Sequence, residues 1–253
     1  YNYRNMNCCP ETSWSERNDN GSVPSLMGET KKIGEDTPIY ETKSNVEEAT
    51  KAIVLFPDVF GPTDRVKSIG DKLASKGYNV VIVDCFRDET AAKNPQANLV
   101  EWLAKFSWST ISKDIEVVID YIVEQGIKRD SIAAIGFCWG GWAIAKSSSQ
   151  GVLWKCAVSP HPSTKLENML GGNETEMMSK VNMPFLIMPA GNDPDILKKG
   201  SKIVTKLKER GGNSVTFDRM IHGWITRGDL SQHKVKEDVD KALNMALDFI
   251  HTV

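Results

Sequence analysis

The stretch Ile132-Ala133-Ala134-Ile135-Gly136-Phe137-Cys138-Trp139-Gly140-Gly141 decides how the chain is read. An apolar run enters Gly-x-Cys-x-Gly, and the small-residue segment Trp142-Ala143-Ile144-Ala145 follows. That order predicts a strand, a sharp turn and a helix, a nucleophile elbow with sulfur in place of oxygen. The turn forces Cys138 into a strained backbone conformation, and side chains two positions to either side would collide, which glycine at 136 and 140 relieves. The same turn sets Cys138 at a helix amino terminus, where the dipole and free N–H groups favour a thiolate and a developing oxyanion. The backbone N–H of Trp139 is then one oxyanion donor. Gly-rich turns holding a buried cysteine also occur without catalysis, so the motif has to be weighed with the rest of the chain.

Outward from the elbow, short apolar runs alternate with longer amphipathic segments. The runs are 52–56, 78–83, 131–136, 154–159 and 185–188, with a less apolar one at 214–219. Helical stretches are expected at 64–76, 112–125, 140–149, 195–210 and 232–250. Short continuous runs suit strands covered on both faces, and the alternation predicts one doubly wound, mostly parallel α/β sheet in a single domain. Residues 1–37 read as a polar lead-in and 38–253 as the folded domain. The long irregular stretch 86–111, with Trp102, Phe106 and Trp108, is expected over the carboxyl ends of the strands as a lid or pocket wall.

The 253 residues carry 31 Lys plus Arg against 33 Asp plus Glu, a net charge of -2, so no basic stripe argues for nucleic acid or an anionic membrane as partner. No segment approaches the roughly 18 consecutive apolar residues of a membrane span. Cys8, Cys9, Cys85, Cys138 and Cys156 lack metal-finger spacing, and no charged-then-apolar signal precedes them. Reduced thiols and a cytoplasmic location are therefore expected. The four histidines offer no ligand pair, so no metal and no cofactor are expected.

An elbow predicts an acid and then a histidine at the ends of later strands. After 185–188 comes Pro189-Ala190-Gly191-Asn192-Asp193-Pro194-Asp195, and after 214–219 comes Met220-Ile221-His222-Gly223-Trp224. His233 and His251 fall in the last amphipathic stretch, and His161 precedes the acid. His222 is thus the candidate base. Asp193 is the candidate acid, while Asp195 reads equally as a helix cap.

On Gly136-Phe137-Cys138-Trp139-Gly140-Gly141, Phe56-Pro57-Asp58-Val59-Phe60-Gly61, Gly191-Asn192-Asp193 and His222-Gly223-Trp224, residues 38–253 resemble the dienelactone hydrolases (carboxymethylenebutenolidases) of the α/β-hydrolase superfamily. Cys138-Trp139-Gly140, His161-Pro162-Ser163 and Cys8-Cys9-Pro10 resemble eukaryotic members. The resemblance implies Cys138, Asp193 and His222 as nucleophile, acid and base, and Val59 N–H as second oxyanion donor. It implies that Asp58 modulates ionisation of the thiol; the alternative is an acid that bonds its own turn. Arg87 and Arg227 correspond to arginines that hold a substrate carboxylate, or else are surface charges. Phe60 and Trp224, with Trp139, Trp102 and Trp108, suggest a flat apolar pocket, although tryptophans at helical spacing are more often core. The expected partner is a small ester or lactone, attacked through a Cys138 thioester. Two other readings use the same residues: a binding protein on the hydrolase scaffold without turnover, and a redox-sensing thiol. Nothing in the sequence assigns an oligomeric state.

Overall fold

The computed structural model describes residues 13–14, 25–46, 49–94 and 97–253. Its strands are β1 (Glu29–Ile33), β2 (Thr37–Thr42), β3 (Ala52–Phe56), β4 (Asn79–Val83), β5 (Ile132–Gly136), β6 (Ala157–Pro160), β7 (Phe185–Met188) and β8 (Asn213–Ser214). They form one sheet in the order β1-β2-β4-β3-β5-β6-β7-β8. The pairs β1 with β2 and β2 with β4 are antiparallel, and every later pair is parallel.

The helices are α1 (Asp64–Ala74), α2 (Leu99–Ala104), α3 (Trp108–Glu124), α4 (Trp139–Ser149), α5 (Leu166–Met169), α6 (Glu174–Lys180), α7 (Lys202–Lys208), α8 (Trp224–Arg227) and α9 (His233–Thr252). Every residue of β3 and β5 is buried, the burden of a parallel sheet covered on both faces. One core lies under α3, α4 and α7; the other lies under α1, α8 and α9. Helix α3 buries Ile111, Ile115, Val118, Ile119 and Ile122, and α9 buries Val235, Val239, Ala242, Ala246 and Ile250, both at helical spacing along one face. Among the described residues no helix is long and apolar enough to cross a membrane.

Several elements differ from the sequence reading for local reasons. Strand β1 lies inside the stretch read as a lead-in, because Glu-Thr-Lys-Lys-Ile is an edge strand whose exposed side chains show no apolar run. The helix expected over 195–210 is a 3-10 turn at Asp195–Leu197 and then α7, separated at Gly200 with φ 96°. The strand expected over 214–219 regularly pairs only through β8, with an isolated bridge between Ala190 and Phe217 further on. The stretch 86–111 contains α2, capped by Asn98.

The chain moves outward from β3 to β4 and then returns to the other side of β3 as β5. This reversal opens a crevice at the carboxyl ends of β3 and β5, the usual ligand position in such sheets. The loop Asp58–Phe60 leaves one lip and Cys138 leaves the other.

Candidate active site

Cys138 is the N-cap of α4, with φ 52° and ψ −109°, in the left-handed half of backbone space that non-glycine residues avoid. A Cβ on Gly136 would strike the backbone of Gly140, and one on Gly140 would strike the carbonyl of Phe56. That carbonyl already accepts the N–H of Phe137 at 3.0 Å. The expected clearance is thus real, but it is glycine against glycine and glycine against β3. Ser159 Oγ donates to the Gly136 carbonyl at 2.5 Å and ties β6 to the elbow.

The turn after β7 grips His222 twice. Asn192 Oδ1 accepts the backbone N–H of His222 at 2.8 Å, and Asp193 Oδ1 lies 2.6 Å from Nδ1 of the ring. The other Asp193 oxygen accepts the N–H of Ala190 at 2.7 Å, which fixes the carboxylate. Asp195 is exposed and pairs with Lys198 at 3.0 Å, so the geometry separates the two carboxylates that the sequence left open. The Nε2 edge of the ring and the Cys138 sulfur share one neighbour, Ser163 Oγ, at 3.5 and 3.2 Å. Burial pushes the ionisation of His222 down, but the charges of Asp193 and Cys138 outweigh burial and raise it to about 9. The structure therefore brings Cys138, His222 and Asp193 into one buried cluster, with Ser163 between the sulfur and the ring.

The N–H groups of Val59 and Trp139 donate to no carbonyl among the described residues, as oxyanion donors require. Asp58 bonds its own turn and α8. Its Oδ1 accepts the Phe60 N–H at 2.9 Å, while Oδ2 accepts Thr226 Oγ1 at 2.6 Å and the Arg227 guanidinium. Arg227 lies over the Phe60 ring, 4.8 Å from its centroid, and its Nε donates to the carbonyl of Trp14 at 2.9 Å. The Trp14 N–H donates to the His222 carbonyl at 3.0 Å.

Two residues expected at the pocket are held by defined partners. Arg87 is clamped by both oxygens of Asp114, at 3.0 and 2.8 Å, and by Asp36. With Phe60 it lines a cavity of about 790 Å³ beside β2. Trp224 is wholly buried against Phe217, ring centroids 4.5 Å apart, and is core. Phe86 is core as well, its ring 4.6 Å from Trp139 and 5.1 Å from Trp102.

Of two further residues at the site, Ser163 is not singled out by sequence reasoning, and His161, which follows a strand, is set aside as base because it precedes the acid. Ser163 Oγ lies 3.2 Å from Cys138 Sγ and 3.5 Å from His222 Nε2. His161, at φ 39°, is fully buried with its ring centroid 5.0 Å from that of His222. Burial and the charge of His222 hold His161 well below the ordinary histidine range, so it packs as a neutral ring. The elbow order has no slot for either; the signal was their position directly after a buried strand. Among the described residues no His, Cys, Asp and Glu side chains gather into a metal-binding group.

The sequence profile described as "Dienelactone hydrolase family" matches residues 38–253. The chain belongs to the dienelactone hydrolase family. It is 27% identical over 210 residues to the human carboxymethylenebutenolidase homolog, covering 80% of this chain and 79% of that one. To the Xenopus tropicalis carboxymethylenebutenolidase homolog it is 31% identical over 234 residues, covering 86% and 90%. Among solved structures, a dienelactone hydrolase-like promiscuous phosphotriesterase from metagenomic libraries superposes with a TM-score of 0.62 at 15% identity, covering 88% of this chain and 99% of the other. That likeness is one of fold, and the dienelactone hydrolase sheet described above is an α/β-hydrolase sheet.

Proposed function

We propose that this dienelactone hydrolase family member is a thiol hydrolase of small esters or lactones. The observation that carries the reading is the buried cluster of Cys138, His222 and Asp193 at the head of α4, with His222 Nδ1 held by Asp193 and the strained Cys138 capping the helix. His222 Nε2 takes the thiol proton, and the sulfur lone pair attacks the substrate carbonyl. The carbonyl π electrons move to oxygen, where the N–H groups of Trp139 and Val59 stabilise the negative charge. Collapse expels the alkoxide or enolate, which takes the proton from His222, and a thioester remains. Water, deprotonated by His222, then releases the acid and restores the thiol. A thiolate suits activated carbonyls better than amides, which argues against peptide cleavage.

Arg227 is the cation suited to a substrate carboxylate, and Asp58 is its resting partner. A substrate anion that draws Arg227 away would release Asp58 to bear on ionisation at Cys138. Arg87, committed to two aspartates, is poorly disposed for the same task. Cys85 and Cys156 carry free buried thiols, which accords with a cytoplasmic location; Cys8 and Cys9 lie outside the described residues.

The test is hydrolysis of an activated ester and of a dienelactone by wild type and Cys138→Ala, with mass spectrometry of the acyl adduct. Loss of turnover together with an adduct on Cys138 supports the proposal, and undiminished turnover in the variant overturns it.

A further inference from the structure

The turn after β6 is built to deliver one hydroxyl to the reacting sulfur. His161 takes φ 39°, a conformation that costs a non-glycine residue free energy. Pro162 presses so closely on Gly141 that a Cβ there would meet its ring. The Ser163 N–H donates to the Cys138 carbonyl at 2.9 Å, which locks the serine to the nucleophile's own backbone. Three separate features thus converge on one result. Ser163, only 2% exposed, sets its Oγ 3.2 Å from Cys138 Sγ, within the range of a sulfur hydrogen bond.

We propose that Ser163 is a catalytic residue of the dienelactone hydrolase reaction, its hydroxyl donating to the Cys138 thiolate. This rests on the reading of Cys138 as nucleophile. When the thiol proton passes to His222 Nε2, the sulfur keeps the electron pair and becomes an acceptor; Ser163 donates its O–H without losing its proton. No bond at Ser163 breaks. Hydrogen bonds to charged groups are stronger than those to neutral ones, so the hydroxyl favours thiolate over thiol. On acylation the sulfur loses its charge, and the hydroxyl is left with a weaker acceptor and with His222 Nε2 at 3.5 Å. The stabilisation therefore belongs to the attacking species and is relaxed in the thioester.

The experiment is a pH titration of thiolate ultraviolet absorbance, each protein measured against the same protein carrying Cys138→Ala, so that only this sulfur is read. Ser163→Ala should need a pH about one unit higher than wild type to reach the same thiolate fraction, about tenfold less thiolate on the acid limb. Ser163→Thr, which keeps the hydroxyl, should restore most of the shift. The kcat/KM profile for an activated ester should move with the titration. A Ser163→Ala curve that superimposes on wild type overturns the inference and leaves the nucleophile reading intact. A wild type without a Cys138 thiolate signal, whose turnover survives Cys138→Ala, overturns the nucleophile reading itself and this inference with it.

Discussion

Arg227 and Asp58 form an ion pair with hardly any side-chain surface exposed, 5% and 1% respectively. The pair joins α8 to the loop after β3, and Thr226 Oγ1 shares the same carboxylate oxygen. Removing one charge strands the other in a dry site, which is costlier than removing both. Arg227→Met should destabilise the protein by about 3–5 kcal/mol, and Asp58→Asn with Arg227→Met should recover much of that loss. Denaturant unfolding of the two single variants and the double variant measures the coupling; additive losses would contradict it.

His222 supplies a pH dependence of stability. Burial alone would lower its ionisation, but Asp193 and Cys138 raise it from the ordinary 6.5 to about 9 in the folded protein. A raised value means that the stabilising contribution is complete below the unfolded value and is lost as pH rises through the folded one. Tm should therefore fall as pH rises from about 7 through about 9. Asp193→Asn should flatten that slope, which thermal melts across the pH range would reveal.

The same carboxylate orients the ring for proton transfer. Because Asp193 is held by the Ala190 N–H as well as by His222, its amide replacement keeps the shape but reverses the hydrogen-bond preference at Nδ1. Ester turnover by Asp193→Asn is expected to fall by roughly 10³–10⁴-fold with KM little changed. Steady-state kinetics decide this, and a loss confined to KM would count against an orienting role.

The elbow makes a steric prediction. Gly140 sits against the Phe56 carbonyl, and the backbone there has no room to give. Gly140→Ala should cost about 3 kcal/mol. Gly126→Ala, at φ 88° but with open space around it, should cost only about 1–2 kcal/mol of backbone strain. Equal losses in urea unfolding would remove the close-approach argument.

The central sheet was legible because parallel strands covered on both faces must be continuously apolar, as in Ala52–Phe56 and Ile132–Gly136. The edges were not, since β1 exposes its lysines and glutamate and follows no apolar period. The elbow, Asp193 and His222 could be read because strain, chain order and chemistry restrict the residue types at those positions. Arg87 could not, because its partners Asp36 and Asp114 lie 51 and 27 residues away and only the fold brings them together. Trp224 was ambiguous for a related reason: an indole beside a histidine reads alike whether it lines a pocket or fills a core. Ser163 stands outside the acid-then-histidine order, and its approach to sulfur arises from a turn whose bend no local pattern announces.

Trp14 lies well ahead of residue 38, where the match to the dienelactone hydrolase family begins, yet its main chain bonds the carbonyl of His222 and the guanidinium of Arg227. Two residues of the proposed site are therefore braced by a residue outside the span of the family match. A fragment trimmed to the matched span would keep every proposed reacting group and would lose both Trp14 bonds.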